Sequence, residues 1–110
     1  MTTRIPNLNE DQRAAIERLI RIAQGHTGQS CQVANFLLAW WNARECGGFD
    51  LTDLWNLDRS IADDLLTVFA LLTRRPSYPD TLGYGRQFEA LIQTWRPDLG
   101  NSTEPIQQEN

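Results

Sequence analysis

Residues 30–45 read SCQVANFLLAWWNARE, and the spacing of their apolar side chains decides the fold class. Val33, Phe36, Leu37 and Trp40 recur at i, i+3, i+4 and i+7, one stripe of a helix. Ala34, Leu38 and Trp41 form a second stripe beside it, and Gln32, Asn35 and Asn42 leave only a narrow polar strip. A helix apolar on nearly all sides is buried on most of them. With Ser30 as its cap and Gly47-Gly48 as its stop, this segment is expected to be the central helix of the domain, or part of an oligomer interface.

The flanking segments repeat the helical period. Asn9 with Gln12 has the form of a capping box, and Ile16, Leu19, Ile20 and Ala23 make a buried stripe that ends at Gly25 and Gly28. Arg13, Glu17 and Arg21 fall opposite, with Glu17 and Arg21 spaced as an i, i+4 ion pair. Asp50 opens a short helix over 50–55. Asp58 caps a longer one to Arg74, with Ile61, Leu65, Val68, Phe69 and Leu72 inward, and Pro76 stops it. Tyr84, Phe88, Leu91, Ile92 and Trp95 mark a final helix over 82–95, weakened at its start by Gly83 and Gly85 and ended by Pro97. No segment alternates with the period of a strand. The expected fold is all-α: a compact bundle of four main helices plus one short helix. Residues 1–97 form the single helical domain and 98–110 a disordered tail, with the second helix packed by the first, fourth and fifth.

Composition narrows the chemistry. The chain has 110 residues, 41% hydrophobic and 22% charged, with net charge −4, enough for one ordinary globular domain. All ten bases are arginine, so a Schiff-base or P-loop lysine is excluded. No apolar run reaches the length of a membrane span, and the first residues carry no secretion signal. Cys31 and Cys46 sit about 22 Å apart if one helix joins them, beyond the roughly 7 Å a disulfide allows. Free thiols fit a reducing compartment, and a cytoplasmic location is expected.

The charge is lopsided. Between Arg44 and Asp64 there are six acids (Glu45, Asp50, Asp53, Asp58, Asp63, Asp64) against two arginines, while acids and bases balance in the rest of the chain. Such a segment repels phosphates and attracts basic protein surfaces. Trp40, Trp41 and Trp55 cluster around it, and tryptophan is enriched at interface hot spots. The candidate partner-binding residues are therefore Trp41, Glu45, Asp50, Asp53, Trp55, Asp63 and Asp64. The acids do not match a calcium loop, and His26, Cys31 and Cys46 match no zinc spacing, so neither metal nor cofactor is expected. His26 lies between glycines near Ser30 without a nucleophile-elbow motif. Arg13, Arg18 and Arg21 read as a solvated helix face.

Two strings are distinctive: FLLAWWNARECGGFDLTDLWNLDRSIADDLLTVFALL at 36–72 and YPDTLGYG at 78–85. With these, residues 30–97 resemble a family of small proteins encoded on integrative and conjugative elements of proteobacteria. The resemblance implies a mobile-element setting and, since that family has no assigned activity, no catalytic residue. Small acidic proteins in that setting sometimes block host defence complexes, as anti-CRISPR proteins do.

The expected function is binding: an accessory module of a mobile element that engages a basic protein surface through the acidic, tryptophan-containing segment, with a homodimer as a further partner state and neither nucleic acid nor membrane bound directly. One alternative is an anti-CRISPR-like inhibitor that mimics nucleic acid charge in a basic groove. Another is a small hydrolase using His26. A DNA-binding helix-turn-helix is disfavoured by the sign of the charge.

Overall fold

The Asn9 and Gln12 side chains form the reciprocal cap that their spacing predicts. Asn9 Oδ1 accepts from the Gln12 N–H at 2.7 Å, and Gln12 Oε1 accepts from the Asn9 N–H at 3.0 Å. They open α1 (Glu10–Ala23), whose Ala15, Ile16, Leu19, Ile20 and Ala23 are buried. The computed structural model describes residues 8–102, which are helical with no strand among them. After α1 come α2 (Gly28–Cys46), a 3₁₀ helix (Leu51–Asn56), α3 (Arg59–Arg74), α4 (Gly85–Trp95) and α5 (Pro97–Ser102). The all-α bundle of four main helices is as expected.

Boundaries differ where a competing cap wins. Thr27, not Ser30, caps α2: its Oγ1 accepts from the Ser30 N–H at 3.0 Å, so Gly28 begins this helix instead of ending the one before. Near its far end α2 breaks at Asn42 (φ −170°, ψ 84°), whose Oδ1 accepts from the Glu45 N–H at 3.2 Å and so caps the last turn afresh. Gly47 then stops the helix at φ +93°, a backbone state that side chains disfavour. Asp58 occupies the cap position of α3 but makes no side-chain cap bond, and its N–H donates to Gln29 Oε1 at 2.7 Å.

The helix expected over 82–95 starts at Gly85. Residues 79–83 close a tight turn in which the Tyr84 N–H donates to the Pro79 carbonyl at 3.0 Å and Gly83 takes φ +96°. Pro97 begins α5 where a stop was expected, since proline suits the first position of a helix. The expected disordered tail therefore meets a helix over 97–102, and its remainder, 103–110, lies outside the described residues.

The packing hub is α1, not α2. It lies against α2, α3 and, more lightly, α4, whereas α2 packs on α1 and α4 and does not pack closely on α3. Three cross-ties hold this arrangement. Arg18 donates to both Asp64 carboxylate oxygens, at 2.9 and 2.8 Å, joining α1 to α3. Tyr84 Oη donates to Glu17 at 3.0 Å, so Glu17 bonds across the fold, not to Arg21. Arg96 donates to the Cys46 carbonyl at 2.8 Å and to Asn35 Oδ1 at 2.7 Å, placing a cation at the C-terminal end of α2 where the helix dipole favours one.

Phe88, fully buried, is the keystone between α2 and α4. The Trp41 ring stacks on it at 5.6 Å, and the Trp40 ring meets it edge-on at 5.7 Å. Both tryptophans are thus half-covered by α4.

Candidate functional site

The register of α3 decides where the surface opens. Ile61, Leu65, Val68 and Leu71 are buried, so Leu71 takes the place expected of Phe69 and Leu72 in the inward stripe. Ala62 and Leu72, partly buried, and Leu66 and Phe69, exposed, then form a second apolar face beside the buried one. Because α2 stands away from α3, a groove of about 520 Å³ runs between them. Phe36, Ala39 and Trp40 line it from α2, and Leu65, Leu66, Phe69 and Leu72 from α3. Phe49, Leu51 and Leu54 complete it, with Phe49 held edge-on to Phe36 at 5.5 Å. Every lining residue is apolar.

The large apolar side chains left exposed among the described residues concentrate here. Leu51 (69% exposed), Leu66 (60%) and Phe69 (56%) line the groove; Trp55 (83%) follows groove-lining Leu54 in the chain, and Tyr78 lies elsewhere. Two aromatics and two leucines exposed to this degree present several hundred Å² of apolar surface, the size at which such patches on a monomer are commonly functional.

The acids expected at the site divide into three groups. Asp50 and Asp53 sit at the start of the 3₁₀ helix whose Leu51 and Leu54 line the groove, Trp55 follows on the same helix, and Asp63 is exposed on α3. Asp50 Oδ1 accepts from the Thr52 hydroxyl at 2.8 Å and from the Thr52 N–H at 3.0 Å, bonds that hold its carboxyl below the usual range. Trp41 and Glu45 face a different cleft, of about 920 Å³, between α2 and the α4–α5 corner, shared with Cys46, Arg86 and Glu89. Asp64 departs most from expectation. It is only 8% exposed and is gripped by Arg18, so its charge is neutralised inside the fold. Arg18 stays exposed on the arginine face of α1 while its guanidinium reaches Asp64.

The polar groups near His26 do not converge on it. His26 is exposed in the α1–α2 loop, while Ser30 is buried with its Oγ 3.0 Å from Thr27 Oγ1. Cys31 and Cys46 are unpaired, and burial pushes the Cys46 thiol up. Among the described residues no group of three His, Cys, Asp or Glu gathers as a metal site, and no helix is long and apolar enough to cross a membrane.

Sequence reasoning missed the groove itself. The helical period puts Phe36 in a stripe of α2 and Phe69 and Leu72 in the inward stripe of α3, and Leu66 in none. The available signal was the excess of apolar positions on α3, which form two adjoining stripes where a single neighbour covers one. Residues 13–96, which span both groove-forming helices, match the model of one protein family. No curated protein and no solved structure matches the chain.

Proposed function

We propose, for a chain that belongs to DUF7673, a family of unknown function, that it is a non-enzymatic protein-binding module acting through the face that carries Asp50, Asp53, Trp55 and Asp63. The observation that carries this reading is the coincidence of two surface anomalies. The segment with the whole excess of negative charge also holds exposed Leu51 and Trp55, and exposed Leu66 and Phe69 follow it within five residues. Apolar contact area supplies affinity and the acids supply steering toward a basic partner. Trp41 and Glu45, in the other cleft, and Asp64, bound to Arg18, are left out of this face. The mobile-element setting is part of the proposal and rests on the resemblance of the 36–72 and 78–85 strings.

Affinity capture from the native host tests it, comparing the unaltered chain with a variant carrying Asp50→Asn, Asp53→Asn and Asp63→Asn. The expected outcome is a basic protein retained by the former at low salt and released from the latter. A partner held equally by both, or an activity that requires His26, overturns the reading. A second reading, the nucleic-acid mimic, draws on the same concentration of charge in one segment. Under it, added DNA displaces the chain from the captured partner.

A further inference from the structure

We infer that the groove between α2 and α3 receives an amphipathic helix of a partner protein, its apolar stripe inward and its basic flank toward Asp50 and Asp53. This rests on the binding-module reading and adds the shape and chemistry of what is bound. The α3 side of the groove extends from Leu65 to Leu72, seven residues or roughly 10 Å of helix. That is the length over which an incoming helix presents anchors at i, i+3 or i+4, and i+7. The lining side chains are apolar and the exposed lining is overwhelmingly so, which leaves little to hydrogen-bond an extended backbone. A helix brings its backbone already satisfied.

Charge selects the occupant. Asp50 and Asp53, each directly before a groove-lining leucine on the 3₁₀ helix, complement lysine or arginine on the flank of an incoming helix. A second copy of this chain would bring the same acid-rich 44–64 segment against these aspartates, where like charges oppose approach.

The test uses the full chain and three labelled synthetic peptides of about 18 residues, five helical turns. The first carries Leu and Phe at helical spacing with Lys and Arg on the flanks. The second has the same composition with the spacing scrambled, and the third has Glu in place of the bases. Fluorescence anisotropy is expected to show micromolar binding of the first and at least about tenfold weaker binding of the others, a difference of ~1.4 kcal/mol. The double variant Leu66→Ser with Phe69→Ser is expected to weaken the first peptide by a similar factor while its circular dichroism and melting stay those of the unaltered chain.

Equal binding of scrambled and ordered peptides, no binding of any of them, or indifference to the double variant overturns the groove inference. Sedimentation that shows a dimer dissolved by the same double variant also overturns it, in favour of a second copy as occupant. Failure of the broader reading looks different: there, the three Asp→Asn changes leave capture of a basic partner unaltered whatever the peptides do.

Discussion

Tyr84 shows how a single residue joins fold and titration. Burial first, and then its bond to the Glu17 carboxylate, push its phenol up to about 12. The unfolded chain releases that proton near pH ~10. The neutral form is therefore favoured by folding. Its contribution is complete below the unfolded value and is lost as pH rises from about 10 through about 12. Alkaline titration followed by tyrosinate absorbance is expected to show a component near the upper end of that window. Tyr84→Phe removes the component and flattens the loss of stability across the same window. Persistence of the high-pH component in Tyr84→Phe would contradict the assignment. Sequence periodicity placed Tyr84 on the buried stripe, but its polar partner lies 67 positions away and no local rule reaches that far.

At the scale of elements, the Arg18–Asp64 clasp fixes how α3 lies on α1. Its bidentate geometry and the burial of Asp64 set it apart from the exposed Arg13–Glu10 contact at 4.0 Å, since exposed pairs contribute little. Asp64→Ala is expected to lower the urea midpoint clearly and Glu10→Ala hardly at all. In a double-mutant cycle, Arg18→Ala with Asp64→Ala should cost less than the two single changes added together. Strict additivity would show the clasp to be energetically idle.

The caps teach a related lesson. Asn9 with Gln12 and Asp50 with Thr52 form as their spacing indicates, because the partners are two or three residues apart. Ser30 loses the role to Thr27, three residues earlier, whereas Asp58 keeps the cap position of α3 without a side-chain cap bond, its N–H bonded instead by Gln29.

For the whole molecule, the central finding is that α3 has two apolar faces and only one is covered. Leu66 and Phe69 are exposed, so the fold does not rely on them. Replacing both by serine is expected to change unfolding free energy by no more than about 0.5 kcal/mol per site. Phe88→Ala, which removes the fully buried ring between Trp40 and Trp41, is expected to cost about 3–5 kcal/mol. Chemical denaturation monitored by tryptophan fluorescence distinguishes the two, and a large loss in the serine variant would place those side chains in the core.

The all-α class, the order of the main helices, the α1 cap and the concentration of acids are legible in the sequence alone, because each depends on residues a few positions apart. The hub role of α1, the sequestration of Asp64 and the groove between α2 and α3 emerge only in three dimensions. An apolar stripe states that a face avoids water; which neighbour covers it, and whether any does, depends on how the other helices compete for the same contact.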